Sequence, residues 1–360
     1  MSLGWKIGFE IELQAPRGQS RMTLASTLAQ AAGGSVRRFF HPQSEPSKAP
    51  GLPVFENVTP GFVAIDADGR PIASFVDDLT LQAGLDRTAA PVPGWYRIVT
   101  DDGRLLRLIM RHCDPDAPLA NVLDPIAALF GVAPEHAAGG MVRIKDERGA
   151  SVAIAAPLPG ERDRPCEIVT PPIECHHDQR LGALLAAAAA SGFEVPRESA
   201  THLHFDADRL RSARVVANLV NLLWAHGEEI KRLFKSNPHC VRLGRWPEAL
   251  VRLVRRRGFA DLPWDAARHE LAGLGLTKYC DFNLVNLIHE DPRKHTVEIR
   301  ILPGSLDPEP ILSAAAFFVA LLNWSLERPR PRRVPPTLAA LATEIHIDLE
   351  RADFPCHGAR

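Results

Sequence analysis

The stretch Trp5-Lys6-Ile7-Gly8-Phe9-Glu10-Ile11-Glu12-Leu13 sets the pattern on which the fold prediction rests. Large apolar side chains occupy every second position, and a lysine, a glycine and two glutamates fall between them. A period of two is typical of a β-strand whose two faces differ in chemistry. Glu10 and Glu12 are therefore expected to point to the same side of this strand.

Three later segments predict strands with the same kind of pattern, at residues 166–173, 201–205 and 296–302. Each carries acidic, basic or imidazole groups on one face: E-I-V-T-P-P at 167–172, H-L-H at 202–204 and E-I-R at 298–300. Each motif is short, so the information lies in their combination.

If these strands share a sheet, four carboxylates lie on one face, those of Glu10, Glu12, Glu167 and Glu298. Neighbouring carboxylates about 4 Å apart repel by about 4 kcal/mol per pair at an effective dielectric constant of 20. Two divalent cations would neutralise them, and oxygen ligands favour Mg²⁺ or Mn²⁺ over zinc. The alternative is that the acids line a solvated face and never meet.

His202 and His204 also allow two interpretations. Two imidazoles and one carboxylate form a catalytic zinc site, which would make the protein a zinc hydrolase. Alternatively, both rings hydrogen-bond to the backbone and have no role in catalysis. The zinc interpretation uses one acid and leaves the others without a function.

The remaining patterns predict an α+β fold with a mostly antiparallel sheet, because strands and helices follow one another without a regular β-α-β alternation. Residues 41–165 are expected to be rich in strands and hairpins, with tight turns at 66–69 and 101–103 and a helix at 119–130. Further helices are predicted at residues 23–32, 180–191, 208–236, 247–257, 308–326 and 337–351.

The predicted domain organisation is one catalytic domain over residues 1–328, with residues 41–165 as an enlarged β-rich insertion. A linker rich in proline and arginine follows, and residues 329–360 comprise this linker and a closing helix.

Composition excludes several classes of protein. The 42 Lys and Arg residues nearly cancel the 43 Asp and Glu residues, so no global field attracts nucleic acid or an anionic membrane. The longest apolar stretch, residues 311–322, is shorter than the roughly 20 residues of a membrane span. Glu10 and Glu12 interrupt any signal-peptide core, so a cytoplasmic location is expected. The six cysteines contain no C-x-x-C pair and are predicted to be reduced thiols.

The ordered motifs resemble those of the amidoligases, a family of carboxylate-amine ligases related to glutamine synthetase and glutamate-cysteine ligase. The motifs that carry this resemblance are G-F-E-I-E at 8–12, E-I-V-T-P-P at 167–172, H-L-H at 202–204, K-Y-C-D-F-N at 278–283 and T-V-E-I-R at 296–300. The resemblance covers the chain from the first strand to the helix after Arg300.

The resemblance implies an open half-barrel sheet of the glutamine synthetase type that binds ATP, a small-molecule or peptide carboxylate and an amine. ATP would phosphorylate the carboxylate, and the amine would then displace phosphate to form an amide. The chain has no Walker-type phosphate loop, so ATP would bind on the sheet. A binding module that has kept the fold without turnover is a further alternative.

The resemblance also implies roles for individual residues. Glu12 and Glu167 would hold one metal ion, and Glu10, His202 and Glu298 a second. His204 would contact the nucleotide phosphates, and Lys278 and Asn283 would contact phosphate or substrate. Arg300 would clamp the phosphoryl group or a substrate carboxylate through its planar fork.

Overall fold

The computed structural model describes residues 3–46, 54–100, 102–240, 243–290, 294–327 and 333–349. These residues form two compact units. Unit 1 contains the described residues of Met1–Ile11, Thr170–Ala186 and Arg197–Arg360, and unit 2 contains those of Glu12–Val169 and Ala187–Pro196.

Strands and helices alternate irregularly along the described residues. The strands are β1 (Ile7–Gln14), β2 (Ser35–Pro46), β3 (Val54–Ile65), β4 (Pro71–Val76), β5 (Tyr96–Thr100), β6 (Glu135–Ala137), β7 (Met141–Lys145), β8 (Ser151–Pro157), β9 (Pro165–Val169), β10 (Ala200–Asp206), β11 (Phe282–Asn283) and β12 (Thr296–Pro303). The α-helices are α1 (Arg21–Ala31), α2 (Gly103–His112), α3 (Asp124–Phe130), α4 (His177–Ala190), α5 (Ala213–Leu233), α6 (Glu248–Arg255), α7 (Trp264–Ala272), α8 (Val285–His289), α9 (Pro308–Glu327) and α10 (Leu338–Glu344).

Unit 1 is built on an antiparallel sheet in the order β11-β12-β10-β1. The apolar positions of these strands face helix α9, because the ring of Phe282 on β11 lies 6.3 Å from that of Phe318. Helix α5 joins the same core, since the Phe234 ring at its end lies 5.3 Å from that of Phe317. One face of the sheet is therefore apolar, and the alternate positions are left for polar side chains.

Helix α9 is longer than the predicted apolar stretch. Among the described residues, it is the one helix with the length and composition to cross a membrane. Most of its apolar window is buried inside the protein, as is usual for a core helix.

Unit 2 holds an antiparallel sheet in the order β9-β4-β3-β5-β8-β7-β6, and β2 pairs with β3. Its hydrophobic core includes Val58 on β3, Ile98 on β5 and Ile109 on α2, all fully buried. Helices α2 and α3 contribute to this core, and α1 packs against β3 and β4. Helices α2 and α3 thus cover the face of β3 that carries Val58.

The predicted α+β class with a large, mostly antiparallel sheet flanked by helices is confirmed. The four strands with functional motifs are all present, and the turn at 66–69 joins β3 to β4, where the Gly69 amide donates to the Asp66 carbonyl. The five described cysteines are free, as predicted.

Several sequence predictions are wrong in detail. The turn expected at 101–103 is the start of helix α2, where the Asp102 carboxylate accepts from the Arg104 amide and caps the helix. The helix expected at 119–130 begins at Asp124, and the closing helix ends at Glu344. Helices α7 and α8 were not predicted.

The domain prediction remains a prediction. All described residues of the proposed insertion at 41–165 belong to unit 2, which also contains α1 and part of β1. Residues 328–332 and 350–360, which include much of the predicted linker and the end of the chain, lie outside the described residues.

The buried side chain of Arg21 contacts several separate segments of unit 2. Arg21 is fully buried, and its Nη1 donates to the carbonyls of Arg162 at 2.8 Å and Pro165 at 3.1 Å. Its guanidinium lies 4.4 Å from the Trp95 ring centroid, and Nη1 lies 3.9 Å from the Asp77 carboxylate. Burial lowers its pKa to about 10, so Arg21 stays charged at neutral pH.

We expect Arg21→Met to lower the free energy of unfolding by about 3 kcal/mol or more, because it removes a buried cation and leaves two carbonyls without their donor. Urea unfolding measures the change. The control is Arg70→Met, which breaks an exposed pair with Asp68 and should cost less than about 0.5 kcal/mol. Equal effects of the two substitutions would contradict a central role for Arg21.

Candidate functional site

Three neighbouring strands of unit 1 bring predicted site residues together on the polar face of the sheet. Glu10 of β1 pairs with His202 of β10. His204 of β10 pairs with Glu298 of β12, which in turn pairs with Asn283 of β11. Directly opposite residues in a sheet have their Cβ atoms about 5 Å apart, so these side chains form one cluster.

A β-bulge lies beside the cluster. Leu203 pairs with Ile299 but Thr201 pairs with Leu302, so two residues of β12 oppose the single residue His202. A bulge of this kind bends its strand and re-aims a side chain. Arg300 is one of the two residues opposite His202, and its Nη1 donates to the Glu298 carboxylate.

Glu10 is buried and is surrounded by donors. Its carboxylate lies 3.2 Å from His202 Nδ1 and 3.0 Å from His204 Nε2, and it accepts from Lys294 Nζ at 2.7 Å. Burial alone would raise the pKa of Glu10, but His204 and Lys294 outweigh that effect and hold the pKa well below its usual range. Glu10 is therefore a carboxylate at neutral pH.

Glu298 is the second buried carboxylate. It accepts from Asn283 Nδ2 at 2.7 Å and from Arg300 Nη1 at 2.5 Å. Burial opposes its ionisation, but His204 and Arg300 lower its pKa to about 2. The alternative in which these acids line a solvated face is wrong for Glu10 and Glu298, because both are buried and share the two histidines as neighbours.

The histidines are not merely bonded to the backbone. Burial and the charge of Arg300 lower the pKa of His202 below its usual value, so this ring is neutral at pH 7. His204 Nε2 is buried and makes no hydrogen bond of acceptable geometry, although a Glu10 oxygen is only 3.0 Å away. A nitrogen and an oxygen that lie this close without an aligned hydrogen bond are well placed to bind the same cation.

The residues best placed to hold a metal ion within unit 1 are Glu10, His204 and Glu298. Their ligand atoms all lie within 4.8 Å of one another, and all three residues are buried. One imidazole nitrogen and several carboxylate oxygens form a mostly hard ligand set, which suits Mg²⁺ or Mn²⁺. The sequence assigned His202 to the metal and His204 to phosphate. Both roles remain predictions, because His202 Nδ1 also lies 3.2 Å from Glu10 and 3.6 Å from Glu298.

Three further predicted site residues are Glu12, Glu167 and Lys278. Glu12 is buried and Glu167 is half-buried, and both belong to unit 2. Lys278 is exposed, with its ammonium 5.6 Å from the Tyr279 ring centroid. Their predicted roles remain predictions.

Sequence reasoning missed Lys294, which contacts Glu10. It precedes β12 and lies outside every alternating motif. The one sequence feature that could have indicated this role is its position two residues before the strand that carries Glu298.

A comparison with protein families adds one finding. A family model described as "Putative amidoligase enzyme" matches residues 3–322, which is most of the chain. No curated protein and no solved structure matches the chain.

The Glu298 pKa yields a pH prediction for protein in EDTA. Because the pKa is about 2 in the folded state and about 4.5 when unperturbed, the stability that the ionised group contributes is complete above pH 4.5 and is lost as pH falls towards 2. We expect the free energy of unfolding of the wild type to fall more steeply over this range than that of Glu298→Gln. Urea titrations at half-unit pH steps measure both slopes.

The control for this experiment is Glu248→Gln, which removes an exposed carboxylate paired with Arg252 at 3.0 Å on α6. Its slope should match that of the wild type. If Glu298→Gln also matches the wild type, the carboxylate is not stabilised in its ionised form.

Proposed function

This chain belongs to the amidoligase family, and from that premise we propose that it is an ATP-dependent carboxylate-amine ligase. In the proposed reaction a carboxylate oxygen attacks the γ-phosphorus of ATP, ADP leaves, and an acyl phosphate forms. An amine nitrogen then attacks the acyl carbon, phosphate leaves, and the nitrogen loses a proton to give the amide. Mg²⁺ or Mn²⁺ is the proposed metal.

The observation that carries the proposal is the convergence of Glu10, His204 and Glu298 on the polar face of the unit 1 sheet. Buried carboxylates on strands either side of β10 require positive charge. The residues fit a divalent cation, because His204 Nε2 has no aligned hydrogen bond and both carboxylates are ionised. When bound, such an ion neutralises phosphate charge during transfer.

The chain's own residues would bind and orient the reactants. Arg300 lies two residues after Glu298 on β12 and donates to it, and its planar fork suits a phosphoryl group or a carboxylate. Asn283 holds the Glu298 carboxylate in place through its 2.7 Å hydrogen bond. His202 is neutral at pH 7 and can accept a proton or ligate a metal without first losing one.

The remaining parts of the proposal extend the family resemblance. We propose that the antiparallel sheets form a half-barrel of the glutamine synthetase type and that ATP binds on the sheet. The substrates would be a small-molecule or peptide carboxylate and an amine, and the reaction would take place in the cytoplasm. Glu12 and Glu167 would hold a second metal ion, with Lys278 near phosphate or substrate.

One observation favours a second candidate, a zinc hydrolase. Nitrogen atoms of both His202 and His204 lie within 3.2 Å of the Glu10 carboxylate, and two histidines with one acid form a familiar zinc ligand set. This candidate gives Glu298 and Arg300 no clear task.

We expect ATP and Mg²⁺ together to raise the melting temperature by more than the sum of their separate effects, because the proposed site binds the metal-nucleotide complex. Thermal unfolding with ATP, with Mg²⁺, with both and with neither measures this. Glu298→Gln should lose the joint effect, and Glu248→Gln should keep it.

Two results would contradict the ligase. One is the absence of any joint stabilisation in the wild type. The other is a zinc content near one ion per chain after purification without added zinc, lost in His202→Ala, because a site rich in hard oxygen ligands binds Mg²⁺ loosely.

A second prediction separates the roles of Glu298 and Arg300. Glu298→Gln preserves shape but removes a metal-ligand charge, so metal-dependent ATP turnover should fall at least about 100-fold. Arg300→Lys keeps the charge but loses the fork, so nucleotide binding should persist while phosphoryl transfer to the acceptor fails. Nucleotide titration and phosphate release measure both properties.

The exposed pair on α6 offers matched controls, Glu248→Gln and Arg252→Lys, which should behave like the wild type. Near wild-type turnover in both Glu298→Gln and Arg300→Lys would show that this face is not the active site.

A further inference from the structure

Lys294 contacts the carboxylate oxygen of Glu10 that lies beside the proposed metal ligands. Its Nζ donates to Glu10 Oε1 at 2.7 Å, and the same oxygen lies 3.0 Å from His204 Nε2. The other oxygen, Oε2, lies 3.2 Å from His202 Nδ1. The ammonium group of Lys294 therefore uses the oxygen of Glu10 that is best placed to share a cation with His204.

The basic side chains that contact the two buried carboxylates already balance their charge. Lys294 donates to Glu10, and Arg300 donates to Glu298. A divalent cation bound by both carboxylates would leave these four groups with an excess of two positive charges. Like charges repel strongly at a site with little water, so binding of the ion favours the departure of one basic side chain.

Lys294 is the side chain that can leave. It is 46% exposed, whereas Arg300 is 11% exposed. Arg300 belongs to β12, and its backbone amide donates to the Asp281 carbonyl at 3.0 Å, while Lys294 precedes the strand. A lysine ammonium group is strongly hydrated and sits on a flexible four-carbon stem, so it can move from Glu10 into water.

We infer that Lys294 competes with a divalent metal ion for the Glu10 carboxylate and so sets the metal affinity of the site. A metal ion that binds Glu10, His204 and Glu298 displaces the ammonium group. Lys294 is thus a positioning residue for Glu10, and it weakens the binding of free metal.

The inference rests on the metal site of the proposed function but does not need its reaction. Within that function the competition has a consequence for selectivity. A metal ion that arrives with phosphate brings negative charge of its own, which offsets the repulsion by Lys294. The site would therefore favour a metal-phosphate complex over free metal.

The test is calorimetric titration of Mn²⁺, without nucleotide, into the full chain after treatment with EDTA and dialysis. Lys294→Met removes the charge and keeps most of the length, so it should bind Mn²⁺ at least about tenfold more tightly than the wild type. Lys294→Arg keeps the charge and should bind within about threefold of the wild type.

Lys6→Met is the matched control. Lys6 also lies in unit 1, is about as exposed as Lys294, and places its Nζ 2.7 Å from a glutamate, Glu174. Glu174 is not among the proposed ligands, so this variant should bind Mn²⁺ like the wild type.

A purely structural role for Lys294 makes a different prediction. Loss of the partner of a buried carboxylate should lower the melting temperature of Lys294→Met in EDTA under either explanation. Only competition predicts that Mn²⁺ then raises the melting temperature of Lys294→Met by more than that of the wild type. If Lys294→Met fails to fold, Lys294→Gln takes its place, because it is neutral but can still donate to Glu10.

Displacement itself can be measured by acetylation of lysines with acetic anhydride, followed by mass spectrometry of the peptides. Mn²⁺ should speed acetylation of Lys294 at least about threefold, because the amine leaves the Glu10 carboxylate for solvent. Acetylation of Lys6 should keep its rate.

The outcomes separate this inference from the proposed metal site. If the wild type binds Mn²⁺ and the neutral variants bind it equally or more weakly, the inference is overturned and the metal site stands. An unchanged acetylation rate of Lys294 would also overturn it. If neither the wild type nor the neutral variants bind Mn²⁺, the metal site is contradicted, and the inference fails with it.

Discussion

Two ionised carboxylates, those of Glu10 and Glu298, are held out of water on strands that flank β10. Removing such charges from water costs several kcal/mol per ion unless positive charge and hydrogen bonds compensate them. Arg300 and Asn283 do this for Glu298, and Lys294 does it for Glu10. Lys294 is half exposed, so its ammonium group can move away from Glu10 into solvent. Such a contact suits a site that binds and releases charged ligands.

The architecture of unit 1 follows from that constraint. The apolar positions of the sheet face α5 and α9, so the alternate positions form a separate layer that can remain polar. Arg300 lies two residues after Glu298 in this polar layer and donates to its carboxylate. In the proposed function the same layer would bind the metal ion and the phosphates.

The sequence predicted the strands of this layer because their period of two is strong. It also predicted correctly that Glu10 and Glu298 lie on the same face of one sheet. It placed His202 with Glu10 and Glu298, but it could not show that His204 also lies beside both carboxylates, because that depends on strand register. Asp102 was misread because the same side chain that favours a turn also caps a helix.

The order of the chain has a consequence for synthesis. Glu10 and its partner His202 are 192 residues apart, whereas the contacts of Arg21 with Arg162 and Pro165 span fewer than 145. A ribosome therefore completes the partners of Arg21 before it makes β10. Until then the edge of β1 that pairs with β10 is open, and an open strand edge is prone to pair with other chains.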